Sequence, residues 1–209
     1  MRRTKEDAEL TKQAILKAAV DVFSERGVAK ASLEEIARRA DVTRGAVYWH
    51  FKNKMEIFDA LHDNLHTPFI ERIMEGLEAE HPNPVGQLQE LCTNIFLDLD
   101  KDEQQRKTLT LFLLKCDYSG ELECRQEEQI KAKSVKMQAF AGYYRRAIKL
   151  GHVADDISAE DYTIAMSCFL RGILHEYLEA PDKFNMQIRA PIIMKIYFGG
   201  LRVASHPAT

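Results

Sequence analysis

The stretch that decides the fold of this chain is SLEEIARRADVTRGAVYWHFKNK, residues 32–54. Ser32 and Glu35 have the spacing of a capping box, and apolar residues follow them at helical intervals. The pattern then breaks, and Thr43 can cap a second short helix. The stretch therefore predicts two helices joined by a tight turn, a helix-turn-helix over residues 32–51.

The second of these helices exposes side chains that an ordinary surface helix does not need. Val47 and Phe51 are four residues apart and can face a core, so Arg44 and Tyr48 must point elsewhere. A helix-turn-helix places its second helix in the DNA major groove, where an arginine can pair with guanine O6 and N7. The alternative for Arg44 is a surface ion pair within its own helix, although that helix contains no acidic residue.

Eight residues are candidates for DNA contact. Gly45 inside a helix suggests close approach of the backbone to DNA. Tyr48 and His50 can donate to phosphates, and Trp49 can pack on the sugar-phosphate backbone or against the first helix. Lys54 opposes the dipole at a helix start, which a phosphate contact would explain. The full set is Ser32, Thr43, Arg44, Gly45, Tyr48, Trp49, His50 and Lys54, of which Ser32 and Thr43 can also serve as helix caps.

Helical periodicity continues along the whole chain, and no strand-like alternation persists. The prediction is an all-α fold of about nine helices. Apart from the pair above, they cover about 5–26, 54–79, 84–100, 102–115, 121–150, 158–178 and 186–203. The first helix should bury Leu10, Ile15, Ala19, Val22 and Phe23 and end at Gly27 in a left-handed cap. The predicted domains are a DNA-binding domain over residues 1–53 and a ligand-binding and dimerisation domain over residues 54–209.

Composition limits the classes of protein that fit. The chain has 209 residues, of which 45% are hydrophobic, enough for a sizeable core. It lacks an apolar run of about 18 residues and begins without a signal-peptide core, so we expect no membrane span and a cytoplasmic location. Residues 1–56 carry 12 Lys and Arg against 9 Asp and Glu, whereas the whole chain has a net charge of −3. A basic module on an acidic body suits a DNA-binding protein, and Arg2, Arg3 and Lys5 form a basic arm that suits DNA contact or solubility.

Catalytic and metal-binding patterns are absent from the sequence. Adjacent carboxylates point to different helix faces, and the sequence contains no nucleophile elbow, phosphate-binding glycine loop or paired-cysteine metal spacing. We therefore expect no enzyme activity, cofactor or metal. A thiol sensor that uses Cys116 and Cys124 within a DNA-binding regulator is the main alternative, and a helical adaptor without DNA binding conflicts with the intact set of candidate DNA contacts.

The segment from Thr43 to Lys54, together with Ile15-Leu-Lys-Ala-Ala and Phe23-Ser-Glu-Arg-Gly27, resembles the tetracycline-repressor (TetR) family of bacterial regulators. Tyr-Trp-His-Phe is especially similar to the branch that represses multidrug-efflux pumps, the acriflavine-resistance (AcrR) type. The resemblance implies a homodimeric repressor that binds a palindromic double-stranded operator. It also implies release from that operator when a small lipophilic effector binds the C-terminal domain, with the long fourth helix as the coupling element.

The resemblance places the effector among helices four to eight. The matching apolar candidates are Leu65, Phe69, Phe112, Leu113, Met166 and Phe169, and the polar candidates are His62, His66, Arg171 and His175. For each aromatic or methionine the simpler alternative is plain hydrophobic core. Arg171 lies in an apolar stretch, where it could meet a carboxylate, anchor a polar ligand group or face water.

Dimerisation is expected through helices eight and nine. A single helix-turn-helix reads only a few base pairs, and two-fold dimers that match palindromic half-sites are the usual solution. Both helices have broad apolar surfaces that would suit a four-helix interface. The residues concerned are Ile164, Phe169, Ile173, Leu174, Tyr177, Ile192, Ile193, Ile196, Tyr197 and Leu201, and we expect about half of them to serve the intramolecular core instead.

Overall fold

The computed structural model describes residues 5–79, 81–118 and 122–201, and the side chains of residues 124–133 are not among those described. All regular structure in these ranges is helical, which confirms the all-α prediction. The α-helices are α1 (Lys5–Arg26), α2 (Leu33–Arg39), α3 (Arg44–His50), α4 (Lys54–Glu78), α5 (Pro84–Lys101), α6 (Glu103–Thr110), α7 (Glu123–Lys149), α8 (Ala159–Glu179) and α9 (Met186–Gly200). Arg2, Arg3, the predicted start of helix seven at 121 and the predicted end of helix nine near 203 lie outside the described residues.

The helices begin where the sequence places capping side chains. Ser32 and Glu35 form the predicted capping box, in which each side chain accepts from the backbone N–H of the other. Asn53 Oδ1 accepts from the Glu56 N–H at 3.0 Å, and Ser158 Oγ accepts from the Asp161 N–H at 3.0 Å. These bonds satisfy N–H groups that a helix start otherwise leaves unpaired, which is why the sequence predicts the helix starts well.

Two of the turns that connect α1, α2 and α3 use the left-handed backbone region. Gly27 ends α1 at φ +76°, as predicted for a C-terminal cap. Asp41, between α2 and α3, has φ +54°. Aspartate tolerates this conformation better than most residues with a side chain. The tight turn of the helix-turn-helix therefore depends on the conformation of Asp41.

The chain forms two compact units. The first consists of Met1–Pro68 and Glu103–Glu123, and the second of Phe69–Asp102 and Cys124–Thr209. Residues 103–123 thus group with the N-terminal helices. The division at residue 53 separates predicted functions, DNA binding from effector binding and dimerisation, and it stays a prediction. Helix α4 contributes residues to both units, and the boundary falls at Pro68, which lies inside this helix and has no N–H to donate to it.

The first unit has one hydrophobic core that joins α1, α2, α3 and the N-terminal half of α4. Ile15, Phe23, Val47 and Phe58 are each at most 1% exposed and belong to the same buried cluster. The prediction for Leu10 is wrong, because this side chain is 66% exposed. Helical spacing alone cannot tell how far a core extends along a long helix, and here it begins about one turn further on.

The second unit is held by apolar packing and by buried tyrosines. Helix α5 packs against α9. The Tyr143 hydroxyl donates to the carbonyl of Ile73 at 2.9 Å, and the Tyr177 hydroxyl donates to Asp100 at 2.7 Å. Each bond supplies an acceptor for a tyrosine hydroxyl that burial shields from water. The first bond connects α4 with α7, and the second connects α5 with α8.

Two helices differ from the sequence prediction. The sixth ends as an α-helix at Thr110 and continues as a π-helical turn over Leu111–Lys115. A 3₁₀ turn over Pro181–Lys183 precedes α9. Periodicity over a few residues does not separate these hydrogen-bond patterns from an α-helix, so the sequence could not show them.

The turn conformation of Asp41 gives a stability prediction. Asp41→Val should lower the free energy of unfolding by about 1–2 kcal/mol, because a β-branched residue is strained at positive φ. Urea unfolding followed by circular dichroism at fixed protein concentration would measure it. Asp41→Gly is the control, since glycine adopts this conformation freely, and equal stability of the valine and glycine variants would contradict the assignment.

Candidate nucleic-acid interface

The helix-turn-helix is built by α2 and α3 on the core of the first unit. Helix α2 buries Leu33, Ile36 and Ala37. Helix α3 begins at Thr43, whose Oγ1 accepts from the Ala46 N–H at 3.1 Å. The structure thus shows Ser32 and Thr43 as helix caps, and their candidate phosphate contacts stay predictions.

Helix α3 has two opposite faces. Val47 and the following Phe51 are buried, as the spacing predicted. On the other side Tyr48 is 45% and Trp49 72% exposed, and Arg44 is exposed beside them. The exposure of Trp49 argues against the alternative that it packs on α1. Tyr48 and Trp49 thus place two neighbouring aromatic rings in solvent on the outer side of α3.

Arg44 has an acidic partner that the sequence analysis missed. Its Nη1 lies 2.9 Å from Oε1 of Glu34 on α2, and its Nη2 donates to the Tyr48 hydroxyl at 3.3 Å. The hydrogen bond with Tyr48 and then the carboxylate of Glu34 raise the pKa of Arg44 above its ordinary value. The sequence analysis considered acidic partners of Arg44 within α3 only. Glu34 lies ten residues earlier on α2, and helical periodicity does not reveal a contact between two helices.

Gly45 lies on the exposed side of α3. A Cβ placed there would approach only Thr43 Oγ1, at 3.9 Å, so the protein itself has room for a side chain. Internal packing therefore does not explain a glycine at this position.

Next along the exposed side, Trp49 makes an edge-to-face contact with His50 at 4.5 Å between ring centroids, and the His50 side chain is partly buried.

Lys54 connects the start of α4 to the loop after α1. Its Nζ donates to the carbonyl of Ala29 at 2.6 Å. Nearby, the Glu56 carboxylate accepts from the Lys52 N–H at 2.8 Å, and so completes the helix start that Asn53 caps. The bond to Ala29 gives Lys54 a structural role in the protein without DNA. Its phosphate contact stays a prediction.

The effector candidates of the first unit surround an aromatic cluster. His62 and His66 meet edge to face at 4.2 Å, and Phe112 lies 5.7 Å from His62 and 5.0 Å from Phe58. Leu65 is buried in the hydrophobic core of this unit, and Leu113 is exposed. The structure thus brings His62, His66 and Phe112 together and separates Leu113 from the buried part of the cluster.

The candidates of the second unit do not form a comparable group. Met166 is fully buried, and Phe169 stacks on Tyr197 at 4.3 Å. Arg171 is exposed on α8, which agrees with the alternative that it faces water, and the exposed His175 lies 3.7 Å from Glu179 of the same helix.

Phe69 contacts a basic residue that the sequence analysis did not single out. Its ring lies 6.2 Å from that of Phe140 and 5.6 Å from Lys136 Nζ. Burial, together with the nearby charge of Arg171, lowers the pKa of Lys136 to about 8. Helical periodicity does not reveal such a lysine, since its partly buried position on α7 is evident only in the folded unit.

Two of the thiols, those of Cys92 and Cys116, fit a sensor poorly. Burial raises the pKa of Cys116, and burial raises the pKa of Cys92 to about 12. A reactive cysteine needs the opposite, a lowered pKa that leaves a thiolate at neutral pH. Cys168 is exposed, and the side chain of Cys124 lies outside those described.

The described ranges lack two other kinds of feature, a metal site and a membrane-spanning helix. Within them, no three His, Cys, Asp or Glu side chains are grouped as a metal site would require. In the same part of the chain, every helix is too short or too polar to cross a bilayer.

Comparison with known proteins identifies the family. Residues 15–61 match the model for bacterial regulatory proteins of the tetR family, and residues 83–202 match the C-terminal region of the MAATS-type transcriptional repressors. The transcriptional repressor BepR of Brucella suis biovar 1 (strain 1330) is 32% identical over 206 residues, and the alignment covers 99% of each chain.

Solved structures agree with this assignment. SmeT in complex with triclosan has a TM-score of 0.81 at 29% identity, and the match covers 96% of both chains. SmeT is the repressor of the Stenotrophomonas maltophilia multidrug efflux pump SmeDEF. NalD, the secondary repressor of the MexAB-OprM multidrug efflux pump in Pseudomonas aeruginosa, has a TM-score of 0.81 at 31% identity over 95% of this chain and 98% of its own. The family predicted from the helix-turn-helix is therefore confirmed, and the chain belongs to the TetR family of DNA-binding transcriptional regulators.

Proposed function

We propose that this chain is a homodimeric repressor of a multidrug-efflux operon. It acts in the bacterial cytoplasm, occupies a palindromic operator and leaves it when a lipophilic compound binds the C-terminal domain. Residues 1–53 bind the DNA, and residues 54–209 bind the effector and form the dimer. The single observation that carries the proposal is the exposed face of α3, where Arg44, Tyr48 and Trp49 stand open to solvent on a helix-turn-helix.

The exposed face of α3 has the chemistry that DNA recognition needs. An arginine can pair with a guanine edge, and aromatic and hydroxyl groups can contact the sugar-phosphate backbone. The buried residues Val47 and Phe51 fix which side of the helix points outward. With Gly45 beside Arg44, the backbone of α3 can approach DNA closely, and Ser32, His50 and Lys54 are proposed to contact phosphates around it.

Exposed isoleucines support a dimer through α8 and α9. Ile188, Ile192 and Ile196 are spaced four residues apart on α9 and are all more than half exposed, as is Ile164 on α8. A repeated apolar stripe of this kind is costly in water, and an isologous contact with the same stripe of a second copy would cover it. Ile173 and Tyr177 are buried within the chain, so α8 has residues for both uses.

The aromatic cluster of the first unit supports effector binding. His62, His66 and Phe112 combine apolar rings with polar nitrogen atoms, the mixture typical of small-molecule sites. Both histidines lie on α4, and only two residues, Lys52 and Asn53, separate the C-terminal cap of α3 at Phe51 from the start of α4 at Lys54. An effector that moved this part of α4 would act on the start of the same helix, next to the proposed DNA-binding face.

The relatives support the efflux assignment. SmeT and NalD repress multidrug efflux pumps, and SmeT has been solved with triclosan bound. By analogy we propose that a lipophilic drug-like compound is the effector here. The thiol-sensing alternative is the weaker one, because burial raises the pKa of Cys116.

Binding to the DNA upstream of the chain's own gene tests this function. A labelled fragment of that DNA should bind the purified protein more tightly than unrelated DNA in a fluorescence anisotropy titration. Triclosan or another lipophilic compound from a drug panel should then weaken binding to the upstream fragment. Equal affinity for both DNAs would contradict the repressor function, and binding that no compound weakens would contradict the effector part alone.

The proposed base-reading role gives a specific prediction for Arg44. Arg44→Ala should weaken operator binding by about 1–3 kcal/mol and reduce the preference for operator over unrelated DNA, because a bidentate guanine contact is lost. Arg39→Ala is a matched control, since Arg39 is an exposed arginine of α2 that pairs with Glu25. A uniform loss on all DNA by Arg44→Ala would show that Arg44 contacts phosphate only.

The proposed dimer face is tested by placing a charge on it. Ile196 is 70% exposed in the single chain, and Ile196→Asp would bury an unpaired carboxylate twice in a symmetric interface. The dimer dissociation constant should rise roughly 100-fold or more, measured by sedimentation velocity. Leu150→Asp is the control, because Leu150 is a half-exposed leucine outside α8 and α9, and an Ile196 variant that stays as dimeric as this control would exclude the α9 interface.

Gly45 offers a test in which stability and function change in opposite directions. Gly45→Ala should raise the free energy of unfolding by about 0.5–1 kcal/mol, because alanine favours a helix and space is available. The same change should weaken operator binding several-fold, since the methyl group would stand between α3 and DNA. Urea unfolding and anisotropy titration on one preparation would show both effects, and unweakened binding would rule out close backbone approach.

A further inference from the structure

The guanidinium of Arg44 is held from two sides in the protein alone. Its Nη1 lies 2.9 Å from the carboxylate of Glu34, and its Nη2 donates to the Tyr48 hydroxyl at 3.3 Å. The Arg44 Cζ also lies 5.3 Å from the centroid of the Tyr48 ring. Glu34 belongs to α2 and Tyr48 to α3, so both helices of the helix-turn-helix hold the same side chain.

These two contacts leave some N–H donors of Arg44 available for another partner. An arginine has five N–H groups, two on each terminal nitrogen and one on Nε. Glu34 accepts from one N–H of Nη1 and Tyr48 from one N–H of Nη2, so each of these two nitrogens keeps a second N–H. A guanine presents two acceptors, O6 and N7, to a pair of such donors. Pairing with Glu34 and pairing with a base are therefore compatible in donor number.

Holding the side chain in advance favours recognition. An arginine has many rotamers, and binding DNA from a free state would require the loss of that freedom. A carboxylate on one terminal nitrogen and a hydroxyl on the other restrict both the position of the guanidinium and the plane in which its donors lie. Part of the ordering that base pairing requires is thus present before DNA arrives.

We propose that Glu34 and Tyr48 form a clamp that orients Arg44 for base reading, which makes Glu34 a positioning residue for sequence recognition. The proposal rests on the proposed DNA-binding function, and it concerns what sets the sequence preference of that surface. Glu34 itself need not touch DNA. Its carboxylate acts through Arg44, so its effect should disappear when Arg44 is absent.

The opposite role for Glu34 predicts a different result. A carboxylate near the DNA surface repels phosphates and neutralises Arg44, and its removal would then strengthen binding to every DNA sequence. The clamp predicts instead that removal weakens binding to the operator specifically. The two roles therefore differ in the ratio of operator affinity to unrelated-DNA affinity.

Glu34→Ala tests the clamp in the full-length protein. The affinity for the operator fragment, relative to unrelated DNA of the same length, should fall by about three- to tenfold, the effect of freeing one arginine side chain. Glu34→Gln, which keeps an acceptor oxygen without the charge, should lose less of this ratio. Glu25→Ala is the matched control, because Glu25 is an exposed carboxylate of the same unit that pairs with Arg39 at 2.8 Å. Glu25→Ala removes the same charge as Glu34→Ala and should leave the ratio of operator affinity to unrelated-DNA affinity unchanged.

A double-variant cycle completes the test. In an Arg44→Ala background, Glu34→Ala should cause no further loss of the ratio. The clamp is overturned if Glu34→Ala leaves the ratio unchanged, if alanine and glutamine variants gain affinity equally on all DNA, or if the loss persists without Arg44. Urea unfolding of each variant identifies a loss due to misfolding. A wild-type protein that shows no preference for its upstream DNA would refute the proposed function and not the clamp.

Discussion

The burial of Val47 and Phe51 is the constraint on which the proposed function depends. Both side chains lie in the core of the first unit with Phe23 and Phe58, and this fixes the rotation of α3 about its axis. A short helix is too small to be stable alone, so its orientation comes from this packing. Once these two side chains face inward, Arg44, Tyr48 and Trp49 must face solvent, and the same core also anchors the start of α4.

Much of the architecture could be predicted because its signals are local. The capping side chains of Ser32, Thr43, Asn53 and Ser158 lie within three residues of the groups they bind, so a sequence shows them directly. The left-handed cap at Gly27 is equally local. The DNA-binding candidates also followed from local spacing, because a helix seven residues long with two buried positions leaves few side chains for the outer face.

The missed features depend on tertiary proximity. The ion pair of Arg44 with Glu34 joins two helices across a turn, and the contact of Lys54 with Ala29 joins residues 25 apart in the chain. The exposure of Leu10 depends on where the core ends, and Lys136 becomes partly buried only when α7 packs in its unit. Periodicity describes which face of a helix is apolar and contains no information on the partner that the face meets.

The fluorescence of Trp49 tests the central claim, that the exposed face of α3 binds DNA. Trp49 is the only tryptophan in the sequence, so intrinsic tryptophan emission reports on this face alone. In the free protein acrylamide should quench it strongly, because the side chain is 72% exposed. Saturation with the upstream operator fragment should sharply reduce the quenching constant, whereas unrelated DNA at the same concentration should reduce it less. If anisotropy shows the operator fully bound while Trp49 stays as accessible as before, DNA binds elsewhere and the assignment of this face is wrong.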